Sequence, residues 1–310
     1  MNDTIGSLLN LGTQRLIEKN IDTARLDSQL LLGKVLGKDK LYLMINNNEI
    51  VSEENKKEFL ELISKRMEYM PIRYILGEID FMGLDFYVEK GVLIPRSDTE
   101  VLVEEVLRMI NEDESLDICD LCSGSGAIGI SLAYYRKKIN VDLIDYYDVP
   151  EKISKKNILR NCLEDRVKFI KSDLLNESIK LKKQYDIIVS NPPYIREEEI
   201  DNLMNDVKDY EPKTALSGGK SGLDFYERIV EESKNVLKKN GILAFEIGHD
   251  QGEEVSELMK VNSYKEVRII KDLASLDRVV IGRFVPWLRP NIYDIIKKCE
   301  KFKYGVIVCY

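Results

Sequence analysis

Four consecutive residues near the middle of the chain combine an amide, two prolines and an aromatic ring: Asn191, Pro192, Pro193 and Tyr194. They directly follow the apolar run 187–189, which predicts a buried strand. A proline-rich turn that merely closes this strand would need neither the amide nor the aromatic ring. The combination therefore indicates a site with a chemical task.

That task would concern a planar NH2 group, which is a poor nucleophile because its lone pair is delocalised. Two acceptors aimed at its hydrogens would fix the group and favour a pyramidal nitrogen. The side-chain carbonyl of Asn191 and the backbone carbonyl of Pro192 are such a pair. The prolines hold φ fixed, so both acceptors are in place before the substrate arrives. Tyr194 would pack on the flat face of the substrate group.

A glycine loop precedes this site in the chain. Gly124, Gly126 and Gly129 form G-x-G-x-x-G between a predicted strand and a predicted helix, and Asp145 ends the next strand. Glycines let the backbone approach a ligand, and a carboxylate in that place accepts hydrogen bonds from ribose hydroxyls. The loop alone fits NAD, S-adenosylmethionine or a glycine turn without any ligand.

The amide site separates these interpretations, because a dehydrogenase has no use for Asn191 and Tyr194 at the end of a strand. A sulfonium methyl held by the glycine loop would suit an amine nitrogen that attacks in line. Such a transfer needs positioning and no strong general base, which agrees with a chain that has one histidine. Together the motifs favour methyl transfer.

A third motif closes the strand that precedes the amide site. Asp173 and Leu174 would border the same crevice at the carboxyl ends of parallel strands. Asp173 would accept a hydrogen bond from an exocyclic amine, and Leu174 would cover an adenine face. An aspartate that caps the following segment is the alternative.

The elements that position these motifs can be read from hydrophobic periodicity. The first third of the chain shows helical spacing, for example at residues 26, 30, 31, 35 and 36, and an alternating segment around Gly83 predicts a hairpin. After residue 94, short apolar runs alternate with helical segments such as 225–237, and the runs 266–273 and 277–284 suit an antiparallel pair. This predicts an α/β fold: a Rossmann-like doubly wound sheet with an antiparallel last strand and a small N-terminal helical domain.

The same pattern predicts the domain organisation. We expect a helical domain over 1–78, a hairpin linker over 79–93, a methyltransferase domain over 94–285 and a C-terminal extension of unassigned role over 286–310.

The composition and net charge of the chain restrict its binding partners and its cellular compartment. The net charge of −8 argues against a long nucleic acid as the main partner. No stretch approaches the roughly 18 apolar residues of a membrane span, and no signal-peptide pattern opens the chain. The five cysteines are odd in number and irregularly spaced, and with one histidine they predict no metal site. We expect a cytoplasmic monomer with reduced thiols.

Several segments in order resemble one family. Residues 71–104, the glycine loop, SNPPYI, EPKTAL, LSGGKSGLDFY and LASLDRVV are similar in order and spacing to the peptide-chain release factor glutamine methyltransferases of the PrmC/HemK family. The resemblance implies N5-methylation of the glutamine in the Gly-Gly-Gln loop of class 1 release factors, with S-adenosyl-L-methionine as the methyl donor. It also implies that the helical domain recognises the release factor and that Ile94, Pro95 and Arg96 help to close the pocket.

The resemblance also implies roles for individual residues. The glutamine site would be Asn191, Pro192, Pro193 and Tyr194. The cofactor contacts would be Cys122, Ser123, Gly124, Ser125, Gly126, Asp145, Asp173, Leu174 and Asn191. Cys122 stands where the family usually has glycine, Ser97 stands where proline is common, and the extension has no counterpart in the family.

Two other substrates remain open on the sequence. A relative that methylates a glutamine of a large-subunit ribosomal protein shares the amide motif, although Asp98, Thr99 and Glu100 favour the release-factor branch. Adenine N6-methylation of nucleic acid would also present a planar NH2 group, but the acidic balance disfavours it.

Overall fold

The computed structural model describes residues 3–286. Its N-terminal part is helical, as predicted, and Ser52 caps one of the helices by accepting a hydrogen bond from the Asn55 N–H. Apolar faces meet in one core cluster that includes Leu8, Leu31 and Phe59. The helices are α1 (Ile5–Ile17), α2 (Ala24–Leu36), α3 (Lys40–Ile45), α4 (Glu53–Met67) and α5 (Ile72–Leu76). All of the predicted extension except Pro286 lies outside the described residues.

The hairpin predicted around Gly83 is confirmed. Strands β1 (Glu78–Phe81) and β2 (Leu84–Tyr87) pair antiparallel. The two turn residues, Met82 and Gly83, have φ values of 52° and 70°. Positive φ at both positions is the twist that suits a two-residue hairpin turn.

A seven-stranded sheet follows the hairpin, with the order β5-β4-β3-β6-β7-β9-β8. Neighbours from β5 to β7 pair parallel, whereas β9 pairs antiparallel with both β7 and β8. The predicted doubly wound sheet with an antiparallel last strand is confirmed. Its strands are β3 (Asp117–Leu121), β4 (Asn140–Asp145), β5 (Val167–Lys171), β6 (Tyr185–Ser190), β7 (Leu237–Glu246), β8 (Tyr264–Lys271) and β9 (Asp277–Phe284).

Helices cover both faces of this sheet. Along β6, Ile187 and Val189 belong to one core cluster and Ile188 belongs to the other, because successive side chains of a strand point to opposite faces. The helices are α6 (Ser97–Met109), α7 (Ala127–Tyr135), α8 (Asp148–Arg160), α9 (Asn176–Lys180), α10 (Asn205–Lys208), α11 (Asp224–Ser233) and α12 (Gly252–Val261).

One predicted helix is too long. The helical spacing over 225–237 ends in the structure at Ser233, and Leu237 begins β7 by pairing with Tyr185. Leu237 is buried, so its apolar character satisfies a strand as well as a helix. Among residues 3–286, no helix is long and apolar enough to cross a membrane.

Candidate active site

Strand pairing brings the glycine loop and the amide motif together. In the parallel pair β3–β6, Leu121 stands opposite Ser190, and the Ser190 hydroxyl donates to the Leu121 carbonyl at 2.7 Å. Cys122 and Asn191 are the next residues of their strands. Both motifs therefore leave the sheet side by side at its carboxyl edge, where open α/β sheets bind ligands.

A cavity of about 310 Å³ lies at this edge. Its volume falls in the range of small-molecule sites. The predicted site residues that line it are Cys122, Gly124, Asp145, Asp173, Leu174, Asn191 and Pro193. Ser123, Ser125, Gly126, Pro192 and Tyr194 are not among the lining residues and lie in the adjacent backbone turns.

The glycine loop is a tight turn with positive φ at Cys122 (60°), Gly124 (54°) and Gly126 (80°). A Cβ added at Gly124 would have no atom within 4 Å, because this residue faces the cavity. A Cβ at Gly129 would lie 2.4 Å from Leu143 Cδ2. Gly124 thus leaves open space at the cavity, and Gly129 lets its helix pack closely on the sheet.

The two serines of the loop are buried. The Ser125 carbonyl accepts a hydrogen bond from the Asn157 amide at 2.9 Å, which ties the loop to α8. The Ser123 hydroxyl oxygen has no hydrogen-bond partner among the described residues.

Asp145 ends β4 with its carboxylate folded back onto the loop. Its Oδ2 accepts from the Gly124 N–H at 2.9 Å, and its Oδ1 accepts from the Tyr146 N–H at 2.8 Å. Burial raises the pKa of this carboxyl, and the backbone donors lower it. The carboxylate is held in one orientation at the cavity wall, as a ribose-binding residue must be.

Asp120, in β3, is a buried acidic residue next to the glycine loop that the sequence reasoning did not single out. It is fully buried, and its Oδ2 accepts from the Gly129 N–H at 2.8 Å. Its Oδ1 has no hydrogen-bond partner among the described residues, and burial raises its pKa to about 7. Its place in the strand that leads into the glycine loop, four residues before Gly124, is the signal that could have identified it.

Asp173 is engaged by a second missed residue. The Arg228 guanidinium donates to Asp173 Oδ1 at 2.9 Å, and Arg228 itself lines the cavity. Leu174 is buried, with φ at 45°. The two residues reach the cavity as predicted, but Asp173 does so as one half of an ion pair.

The amide motif presents free acceptors. The Asn191 side chain donates through Nδ2 to the Thr99 hydroxyl at 3.4 Å. Among the described residues, no hydrogen bond reaches Asn191 Oδ1 or the Pro192 carbonyl. These are the two oxygens that the sequence assigned to a substrate NH2 group.

Hydrogen bonds and packing from other segments of the chain fix the backbone that follows the two prolines. The Tyr194 carbonyl accepts from the Gln251 amide at 3.0 Å, and Ile195 exchanges hydrogen bonds with Leu216 and Gly218. A Cβ at Gly218 would lie 2.7 Å from the Tyr194 Cα, so the LSGG segment packs directly on the motif. This explains why a glycine-rich segment follows the motif.

The interdomain segment closes the other side of the cavity. Gly91, Val92 and Leu93 line it, and Arg96 forms an ion pair with Glu211, which is buried. Burial raises the pKa of Glu211, and Arg96 opposes this effect. Residues 94–96 are not among the residues that line the cavity, and their closing role stays a prediction. The ion pair fixes Arg96 to Glu211, which directly precedes the lining residue Pro212 and which the sequence reasoning did not identify.

Two family models match the chain: the PrmC N-terminal domain over residues 7–77 and the methyltransferase small domain over residues 97–208. A protein of Clostridium botulinum described as a release factor glutamine methyltransferase is 50% identical over 89% of this chain and 98% of its own length. A protein of Clostridium acetobutylicum with the same description is 50% identical over 83% and 90%.

A solved structure is also similar. It is described as a protein-(glutamine-N5) methyltransferase, release factor-specific, from Alicyclobacillus acidocaldarius. The TM-score is 0.40 at 28% identity, over 62% of this chain and 95% of that chain.

Proposed function

The chain belongs to the release factor glutamine methyltransferase family, and from this premise we propose that it methylates the N5 amide nitrogen of the glutamine in the Gly-Gly-Gln loop of class 1 release factors. The observation that supports the proposal is that two oxygens of the amide motif accept no hydrogen bond among the described residues: Asn191 Oδ1, whose residue lines the cavity, and the carbonyl of the adjacent Pro192. A primary amide offers two N–H donors, which matches two acceptors on one rigid segment.

The cavity fits S-adenosylmethionine as the methyl donor. Gly124 leaves open space where any side chain would project, and Asp145 presents a fixed carboxylate for hydroxyl groups. Cys122 and Leu174 add apolar wall. When bound, the cofactor supplies an electrophilic methyl group on a positively charged sulfur.

The residues of the chain act on the glutamine amide by position. Asn191 Oδ1 and the Pro192 carbonyl each accept one N–H, which fixes the nitrogen and turns its lone pair toward the cavity. The prolines and the packed LSGG segment keep these acceptors from moving, so little entropy is lost when the substrate binds. No side chain is required to remove a proton before the attack.

Substrate recognition is assigned to the helical domain. Around α3, the large apolar side chains of Leu41, Met44, Ile45 and Ile50 are exposed, by 58% to 71%. Leu41, Met44 and Ile45 lie three and four residues apart on α3 and so share one face, and a contiguous exposed apolar patch marks a protein interaction surface. The proposed partner is the release factor, and the proposed setting is the cytoplasm, with the enzyme as a monomer.

The proposal is tested by mixing the purified protein and labelled S-adenosylmethionine with a release factor, a large-subunit ribosomal protein and DNA. Label on the release factor is expected, and mass spectrometry of the tryptic peptide should place one methyl group on the Gly-Gly-Gln glutamine. A release factor whose glutamine is replaced by alanine is the control. Label confined to the ribosomal protein or to DNA would contradict the proposal.

A further inference from the structure

We propose that Arg228 and Glu232 position the Asp173 carboxylate and so make the cavity selective for a ligand whose base carries an exocyclic amine. This inference rests on the proposed function, because it concerns the base of the S-adenosylmethionine that the cavity is proposed to hold. Both residues lie in α11, outside the glycine loop and the amide motif. The inference therefore gives a specificity role to a helix that the sequence motifs do not include.

The strand order determines which part of a bound cofactor reaches Asp173. Four residues that line the cavity follow one another along the carboxyl edge of the sheet: Asp173 after β5, Asp145 at the end of β4, Gly124 after β3 and Asn191 after β6. Neighbouring strands lie about 4.8 Å apart. Asp173 thus stands beside the proposed ribose site and on the far side of it from the proposed methyl acceptor, which is where the base of the cofactor would lie.

Asp173 has one carboxylate oxygen available for a ligand. Arg228 Nη2 donates to Asp173 Oδ1 at 2.9 Å, whereas no hydrogen bond reaches Asp173 Oδ2 among the described residues. An ionised carboxylate only accepts hydrogen bonds, so Oδ2 suits an amine N–H and repels a carbonyl oxygen. Adenine carries an exocyclic amine where hypoxanthine carries a carbonyl oxygen. A carboxylate held in place here therefore distinguishes these two bases.

Hydrogen bonds from α11 hold this carboxylate, which is itself half exposed. Arg228 and Glu232 are four residues apart and so share one face of the helix. Arg228 donates to Glu232 Oε1 at 3.3 Å, and Glu232 Oε2 accepts from the Leu175 N–H at 3.1 Å. Leu175 is buried and lies two residues after Asp173. The turn after β5 is thus joined to α11 both through the Asp173 side chain and through its own backbone.

Arg228 also lines the cavity, so a direct contact with the ligand is the competing role for this residue. The two roles differ in what they require. A positioning role acts through Asp173 and disappears when that carboxylate is removed. A direct contact with the ligand persists without Asp173. A double-mutant cycle separates the two cases, because it measures whether one residue acts through the other.

The first test compares two ligands that differ only at the base. S-adenosylhomocysteine carries the exocyclic amine, and S-inosylhomocysteine carries the carbonyl oxygen. Calorimetric titration gives the ratio of their dissociation constants. The wild type should prefer the adenosyl ligand roughly 10- to 100-fold, the scale of a hydrogen bond to a charged group. Arg228→Met should reduce this preference roughly 2- to 10-fold, because the ligand must then immobilise the Asp173 side chain itself.

The second test asks whether Arg228 acts through Asp173. Asp173→Ala should remove most of the preference for the adenosyl ligand, and adding Arg228→Met to it should change the ratio no further. Lys234→Met is the matched control. Lys234 directly follows α11, forms an ion pair with Glu231 and is not among the residues that line the cavity. This variant should keep the wild-type preference.

The outcomes separate the two proposals. A wild-type protein that does not methylate the release factor contradicts the proposed function, whatever its preference between the two ligands. The positioning role is refuted by a wild type that binds both ligands equally, by an unchanged preference in Arg228→Met, by an equal loss in Lys234→Met, or by an undiminished effect of Arg228→Met in the Asp173→Ala background.

Glu232→Gln provides a second variant if Arg228→Met does not fold. It keeps an acceptor for the Leu175 N–H and removes the negative charge that holds Arg228. We expect a lower preference for the adenosyl ligand in this variant as well. A wild-type preference in Glu232→Gln would then refute the positioning role.

Discussion

Replacing Gly124 with alanine would place a methyl group in the cavity and nowhere else. The added Cβ has no protein atom within 4 Å, so the folded chain accommodates its volume. The cost to folding comes from φ at +54°, which disfavours residues with a Cβ. We therefore expect a variant that folds but binds the cofactor more weakly.

The two magnitudes can be worked out separately. A left-handed conformation costs alanine about 1–2 kcal/mol, and the lower entropy of the unfolded alanine chain offsets about half of that. The net loss of about 1 kcal/mol lowers the Tm by about 2–4 °C for a domain of this size. A methyl group forced against a bound ligand costs about 1–3 kcal/mol, which weakens cofactor binding roughly 5- to 150-fold.

Gly129→Ala is the matched control in the same loop. Its Cβ would lie 2.4 Å from Leu143 Cδ2 and 2.9 Å from the Asp120 Cβ, between α7 and the sheet. Overpacking of this kind lowers the free energy of unfolding by about 1–3 kcal/mol. The folded fraction should still bind the cofactor, because the added methyl group points away from the cavity.

Calorimetric titration with S-adenosylhomocysteine and thermal unfolding measure the two effects on each variant. Gly124→Ala should change mainly the dissociation constant, and Gly129→Ala mainly the Tm. Wild-type affinity in Gly124→Ala would show that the cavity is not the cofactor site. A loss of affinity without a loss of Tm in Gly129→Ala would refute the assignment of Gly124 to cofactor binding and of Gly129 to packing.

Three further perturbations test the electrostatics and the amide site. Asn191→Ala should abolish methyl transfer and largely spare S-adenosylhomocysteine binding, and turnover in a radiolabel assay would contradict this. Asp120→Asn should gain stability relative to the wild type as the pH rises from about 4 to about 7, and no further above that, because over this range the buried carboxyl keeps a proton that the unfolded chain has released; a constant difference in denaturant unfolding from pH 4 to pH 7 would refute it. Arg96→Met removes the cation beside buried Glu211. It should lower the free energy of unfolding by about 1 kcal/mol at pH 8, since Arg96 is partly exposed, and by less at pH 5, where more of the Glu211 carboxyl is neutral. Equal losses at both pH values would contradict the ion pair.

The fold could be predicted because local signals agree with the global arrangement. Apolar runs such as 187–189 mark strands buried on both faces, and the glycine and proline residues around them mark the strand ends. The hairpin could be placed because Gly83 tolerates the positive φ that its turn requires. The end of α11 could not, since Leu237 suits a buried helix and a buried strand equally.

The site could be predicted only where its residues are close in sequence. The glycine loop and the amide motif are short and local, and the residue types within them indicate the chemistry. Thr99, Glu211 and Glu246 reach the site from α6, from the loop before α11 and from β7. Their contacts with Asn191, Ile94 and Tyr194 cross 92, 117 and 52 positions of the chain, respectively. No pattern within one segment records such a contact.

The register of a single strand pair explains why two separate motifs can act on one reaction. Parallel neighbours lie about 4.8 Å apart, so Leu121 and Ser190, which stand opposite each other, fix how close Cys122 and Asn191 can be. A slip of one residue would turn the inward side chains of β6 to the opposite face. The Ser190 hydroxyl holds the pair in register by donating to the Leu121 carbonyl at 2.7 Å, since the apolar side chains of Ile187, Ile188 and Val189 would suit either face. The pairing of β3 with β6 thus sets how close the proposed methyl donor site lies to the acceptor oxygens.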